Sequence, residues 1–133
     1  MDRKRQTLIA RIGFIIYLGA LAWLCFGSFD SLPDVQQKFF GIDTDKIVHF
    51  IMFLPFPFLM FSSFEILPCK AWKYILFILL SFAVGCATGA ATEFIQGFTM
   101  NRVTDIKDFY ADVAGCATSA VATFLIYLKH ASK

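Results

Sequence analysis

The residues of this chain that could do chemistry form three short polar clusters, each spaced so that its members share one face of a helix. The clusters are Asp45 with His49, Glu93 with Gln96, and Asp105 with Asp108 and Asp112. A carboxylate or an imidazole can move a proton as a general base. We therefore take these clusters as the candidate site, with Glu93 and His49 as its candidate catalytic residues.

Glu93 is the most informative single residue, because residues 83–98 around it are otherwise uncharged. A carboxylate near lipid is costly unless it is paired, protonated or hydrated. One interpretation is that Glu93 lies at headgroup level and forms a salt bridge with Arg102. The other is a buried pocket in which Glu93, His49 and the aspartates act together. For His49 taken alone, a structural hydrogen bond is the simpler interpretation.

Two basic residues, Lys46 and Arg102, accompany the acidic clusters. A guanidinium forks well onto a carboxylate, and the same fork recognises phosphate. Lys46 and Arg102 therefore either hold the phosphate of a lipid or neutralise the neighbouring carboxylates, and the sequence leaves both alternatives open.

A metal site is a third interpretation of the clusters, since carboxylates with one histidine suit a hard divalent cation. Only one of the chain's two histidines belongs to the clusters, which argues against zinc. On sequence alone we assign no metal and no cofactor.

We expect membrane-spanning helices to carry these clusters. Hydrophobic residues make up 58% of the 133-residue chain and charged residues only 17%. Apolar stretches of about 18 residues or more are long enough to cross the hydrocarbon core of a bilayer. The sequence therefore predicts one all-α integral membrane domain over residues 1–133, a bundle of four transmembrane helices. The predicted segments are 8–29, 47–64, 72–98 and 108–128.

Local sequence features refine this prediction. Pro55 and Pro57 fall inside segment two and predict a kink or a local unwinding of the helix, because each removes a backbone donor. The small residues of Gly85-x-x-x-Gly89 and Gly115-x-x-x-Ser119 permit close helix contact. They predict a hairpin of segments three and four, which would bring the second polar cluster beside the third.

The distribution of basic residues predicts the orientation of the chain. Lysine and arginine in short loops tend to stay on the cytoplasmic side. Eight of the 12 basic residues flank the ends of the segments on one side: Arg3, Lys4, Arg5, Arg11, Lys70, Lys73, Lys129 and Lys133. Both termini should therefore be cytoplasmic and the polar clusters should lie at the outer face. The formal charge of only +2 argues against a nucleic-acid partner.

Three motifs follow one another along the chain: Asp45-Lys46-x-x-His49-Phe50, Glu93-x-x-Gln96 and Arg102-x-x-Asp105-x-x-Asp108-x-x-x-Asp112-x-x-Gly115. In these motifs and in their order the chain resembles the VanZ-like membrane protein family, named after an accessory protein of glycopeptide resistance. The resemblance spans about residues 45–119. It implies a multi-pass protein of the bacterial plasma (inner) membrane, with about four helices and no settled biochemical activity.

The chain departs from the family's pattern at two positions. The family usually has asparagine where this chain has Asp112, and a second glycine near Ser119. The prototype is linked to teicoplanin resistance, but no resistance phenotype follows from the resemblance.

Together, the clusters and the resemblance predict an envelope protein that handles a lipid or lipid-linked headgroup at the outer leaflet. Glu93 or His49 would move a proton, and the residues predicted to bind the headgroup are Asp45, Lys46, Gln96, Arg102, Asp105, Asp108 and Asp112. The alternative is a non-enzymatic membrane module whose polar cluster is a salt-bridge network or a partner-binding face. The expected partners are the lipid bilayer, a lipid-linked envelope precursor and a second copy of the chain. The sequence does not determine whether a reaction is catalysed.

Overall fold

Four long apolar helical spans make up most of the protein. The computed structural model describes residues 2–27, 38–64, 70–99 and 104–131. Its elements are α1 (Arg3–Phe26), β1 (Lys38–Phe39), β2 (Ile42–Asp43), α2 (Thr44–Phe53), α3 (Phe56–Ser62), α4 (Ala71–Thr99) and α5 (Ile106–Ala131). The helices long and apolar enough to cross a membrane are Arg3–Phe26, Thr44–Ser62, Ala71–Phe98 and Ile106–His130. The prediction of an all-α protein with four transmembrane helices is confirmed, while its orientation stays a prediction.

A short β-hairpin leads into α2 and was not anticipated from the sequence. Its strands pair antiparallel, with Lys38 opposite Asp43 and Phe39 opposite Ile42. The two turn residues, Phe40 and Gly41, both have positive φ, 51° and 79°. Positive φ at both central positions is what a two-residue hairpin turn of type I′ requires. The hairpin ends directly at the first turn of α2.

The second span is interrupted by a turn where its prolines lie, which agrees with the local unwinding that the sequence predicted. α2 ends at Phe53, and α3 begins after the turn that contains Pro55. Pro57 has no N–H to donate to the carbonyl of Phe53, four residues earlier. The thiol of Cys116 lies 3.8 Å from that carbonyl oxygen and donates to it instead. A neighbouring helix thus satisfies a backbone group that the proline leaves free.

Helix α5 packs against both α2 and α4. A Cβ at Gly89 of α4 would lie 3.0 Å from the Asp112 side chain, so Gly89 faces α5 as predicted. A Cβ at Gly115 would instead overlap the carbonyl oxygen of Phe50 on α2. The absent side chain of Gly115 therefore permits the approach of α2, a pairing that the sequence prediction did not include.

The first helix is joined to the rest by side-chain hydrogen bonds to backbone carbonyls. The hydroxyl of Tyr17 donates to the carbonyl of Met52, just before the interruption of the second span. Nε of Arg11 donates to the carbonyl of Ser63 at 2.8 Å. The buried apolar core beneath these contacts consists of Leu21, Cys25, Phe53, Phe56 and Cys116.

Candidate functional site

Three helix ends meet at one end of the bundle and enclose a polar pocket. The first turns of α2 and α5 and the last turns of α4 form its walls. Its volume is about 560 Å³. The pocket is lined by Asp45, His49, Glu93, Gln96, Gly97, Thr104, Asp105 and Asp108.

Asp105 fixes the start of α5. One of its carboxylate oxygens accepts a hydrogen bond from the backbone N–H of Lys107 at 2.9 Å, which satisfies a donor that the helix leaves free. This hydrogen bond, followed by the contact with Lys46, holds the pKa of Asp105 below its usual range. Asp105 is therefore an ionised cap at the rim of the pocket.

Lys46 bridges α2 to the start of α5. Its Nζ lies 3.3 Å from Asp43, 3.3 Å from Asp105 and 3.4 Å from Asp108. Of the two alternatives considered for Lys46, its contacts in this structure are those of a counter-ion for carboxylates.

His49 lies between two acidic side chains from different helices. Its Nδ1 lies 2.9 Å from Oδ1 of Asp112 on α5 and 3.6 Å from Oε1 of Glu93 on α4. Their exposed fractions are 6% for His49, 8% for Glu93 and 0% for Asp112. Among the described residues, Oε1 of Glu93 and Oδ2 of Asp112 are buried without a hydrogen-bond partner.

The remaining predicted residues are placed differently. Gln96 is buried, and its Nε2 donates to the carbonyl of Cys25 at 2.7 Å, so its amide ties α4 to the end of α1 while it also lines the pocket. Asp45 is exposed at the start of α2 and lines the pocket. Arg102 lies outside the residues that the structure describes. The structure thus brings together all the predicted site residues that it describes.

Of the residues that the structure describes, three that belong to this site were missed in the sequence: Asp43, Gly97 and Thr104. Asp43 lies three positions before Lys46, a spacing that would have indicated the ion pair. Thr104 lines the pocket at the start of α5, and no sequence signal points to it.

An apolar groove adjoins the polar pocket on the outside of α4 and α5. Its volume is about 290 Å³. Glu93, Thr104 and Asp105 line both spaces. The other residues of the groove are Ala90, Phe94, Ile106 and Phe109. Phe94 and Ile106 are each 64% exposed, as expected for side chains that face lipid. Polar and apolar binding spaces therefore meet at one edge of the bundle.

Comparison with known proteins gives one match. The family model described as VanZ/LLP1 matches residues 14–127, which include every described residue of the pocket and of the groove. No curated protein and no solved structure matches the chain.

Proposed function

The chain belongs to the VanZ/LLP1 family, and we propose that this membrane protein handles the headgroup of a lipid or of a lipid-linked envelope precursor in its polar pocket. The observation that carries the proposal is the junction of the pocket with the apolar groove, through Glu93, Thr104 and Asp105. An amphiphile needs a polar space and an apolar space in contact. The bacterial plasma (inner) membrane is its proposed location, with the pocket at the outer face.

The dimensions of the two spaces suit such a ligand. A volume of about 560 Å³ lies within the range of roughly 300–1,000 Å³ that small-molecule sites occupy. The headgroup would lie in this pocket, while the first part of an acyl or prenyl chain would follow the groove past Phe94 and Ile106 into the surrounding lipid.

The charges of the pocket constrain the headgroup. Among the described residues, four carboxylates line it, those of Asp45, Glu93, Asp105 and Asp108, and Lys46 already contacts two of them. This excess of negative charge supports a headgroup that carries a positive charge, or an anionic headgroup that is held through a bound cation. The adjacent pair of His49 and Glu93 would move a proton to or from that headgroup.

A second candidate function has an observation of its own. Lys46 contacts three carboxylates and Gln96 donates to the carbonyl of Cys25, so part of the cluster holds helices together. In this candidate the protein is a non-enzymatic module, with a structural network and a face for another protein or a second copy of the chain.

Blocking the groove tests the proposal without changing any charge. Ala90 is an exposed residue of the groove, and Ala90→Trp would fill it. Ala87→Trp, at an exposed position one turn earlier on α4, is the matched control. Native mass spectrometry of gently purified protein should find a bound lipid in the wild type and the control, reduced several-fold in Ala90→Trp. Equal lipid retention in all three proteins would contradict a ligand in the groove.

Glu93→Gln separates the two candidates, because it removes the charge and the proton affinity at nearly constant volume. If Glu93 acts on a headgroup, the variant should insert and fold normally yet lose the envelope phenotype that the wild type complements. If Glu93 is only a structural counter-ion, loss of phenotype should follow loss of folded protein, measured by size-exclusion chromatography.

A further inference from the structure

Three side chains from three helices converge at the buried base of the pocket: His49 of α2, Glu93 of α4 and Asp112 of α5. Nδ1 of His49 lies 2.9 Å from Oδ1 of Asp112 and 3.6 Å from Oε1 of Glu93. One ligand atom from each residue lies within 4.8 Å of the others. Two atoms bound to one ion at about 2.0–2.2 Å lie roughly 3–3.6 Å apart in common geometries. The three groups are therefore close to the separations of ligands that share an ion.

Each of the two carboxylates in this group has an oxygen without a hydrogen-bond donor among the described residues. Oε1 of Glu93 and Oδ2 of Asp112 are buried, and neither accepts a hydrogen bond from any residue that the structure describes. Both residues are more than nine-tenths buried, and Oε1 of Glu93 points toward the imidazole of His49. A buried carboxylate without a donor is costly and calls for a positive charge or a proton. The single Nδ1 of His49 cannot supply one for every free oxygen.

We infer that His49, Glu93 and Asp112 bind one divalent transition-metal ion. Two carboxylates and a neutral imidazole carry a charge of about −2, which a divalent ion cancels in a setting where net charge is expensive. One imidazole nitrogen with carboxylate oxygens suits Mn²⁺, since magnesium and calcium prefer oxygen ligands alone. The inference goes beyond the sequence prediction, which assigns no metal.

A second group of possible ligands shares His49. Asp45, His49 and Asp108 also offer atoms within 4.8 Å of one another. Asp45 is exposed to water, however, so solvent can satisfy its carboxylate without an ion. The buried group is the one whose oxygens need a cation.

The position of the ion connects it to the pocket. His49 and Glu93 both line that space, so ligand positions on the pocket side would be open to water or to a ligand oxygen. If the pocket takes a lipid headgroup, a consequence that rests on the proposed function, the ion would let an acidic pocket hold a phosphate. The ion site itself stands on its three residues alone. With the ion bound, His49 and Glu93 would serve as its ligands, and a water on the ion would take over the proton transfer proposed for them.

Metal content tests the inference directly. Purified wild-type protein is stripped with a chelator, incubated with Mn²⁺ or with Zn²⁺, freed of unbound ion and analysed by inductively coupled plasma mass spectrometry. We expect about one ion per chain for the wild type, and at least about tenfold less for Glu93→Gln and for Asp112→Asn. Asp2→Asn is the matched control, because it removes an exposed carboxylate that lies outside the pocket, and it should retain the ion.

Folding and lipid binding are separated from ion binding by two further measurements. Only monodisperse protein is compared. If Asp112→Asn does not fold, ion binding is decided by Glu93→Gln together with electron paramagnetic resonance of the Mn²⁺-loaded wild type. The wild-type spectrum should show hyperfine coupling between Mn²⁺ and a histidine nitrogen. This coupling should be absent from the spectrum of His49→Gln. Ala90→Trp should keep the ion even if it loses lipid, so failure of the proposed function leaves the ion site intact. Failure of the wild type to retain either ion, or equal retention by all the variants, would overturn the inference and favour a shared proton.

Discussion

His49 and Asp112 join two helices that are not neighbours in the sequence, with Nδ1 of His49 2.9 Å from Oδ1 of Asp112. Asp112 is fully buried and His49 is 6% exposed. Lys46 contacts Asp105 and Asp108 one turn before this pair, so α2 and α5 run in the same direction from a shared end. The pair of His49 and Asp112 continues this line of contacts into the apolar layer.

Removing Asp112 should destabilise the protein. Asp112→Ala leaves a buried imidazole without this partner, and we expect the free energy of unfolding to fall by about 1–3 kcal/mol. A double-mutant cycle with His49→Ala should show a coupling energy of roughly 0.5–3 kcal/mol. Reversible unfolding in mixed micelles measures both quantities. Thr118→Ala, at an exposed position of the same helix, is the control. Strictly additive effects of Asp112→Ala and His49→Ala would argue against the contact between these two residues.

Adding a methyl group at Gly115 should separate α2 from α5. A Cβ there meets the backbone of Phe50 and Leu54, which cannot move aside as a flexible side chain would. We expect Gly115→Ala to lower the free energy of unfolding by about 1–3 kcal/mol. Gly13→Ala is the control, because nothing lies within 4 Å of its Cβ, and alanine there should be neutral or stabilise α1 by up to about 1 kcal/mol. Equal losses at both glycines would contradict this packing.

Asp105 should make stability depend on pH on the acid side. Its pKa is held below the usual range by the hydrogen bond from the Lys107 N–H and then by Lys46. A folded-state pKa below the unfolded value of about 3.9 gives a stabilisation that is present above that value and is lost as the pH falls through the folded-state pKa. Asp105→Asn should therefore lower the melting temperature more at about pH 7 than at about pH 3. Thermal melts across this pH range measure the difference in melting temperature between the wild type and the variant. A difference that does not change with pH would count against an ionised cap.

The orientation of the bundle is open to a labelling experiment. The excess of basic residues beside the termini predicts that Lys38, in β1, lies outside the cell. Lys38→Cys should react with a membrane-impermeant thiol reagent in intact cells, whereas Lys4→Cys should react only after the membrane is permeabilised. The parent protein gives the background from its native cysteines. The reverse pattern would move the pocket to the cytoplasmic side.

The approximate extents of the four spans and the interruption of the second were predictable from local sequence. A bilayer requires about 20 consecutive apolar residues in a spanning helix, and Pro57 removes a donor wherever the chain places it. The spacing of Asp105, Asp108 and Asp112 likewise predicted that one face of a helix carries all three. The β-hairpin was not predictable in this way, because its turn places Phe40 at positive φ and phenylalanine is not typical of that conformation.

Only the tertiary structure decided what that face meets. The stripe of aspartates lies against Lys46 and His49 of α2, and Gly115 admits α2 as well. The junction of the pocket with the groove likewise depends on how α4 lies against α5. Helical spacing specifies which residues share a face, because it follows from the geometry of one helix. It cannot specify the neighbour of that face, because helix pairing depends on the close packing of every helix in the bundle at once.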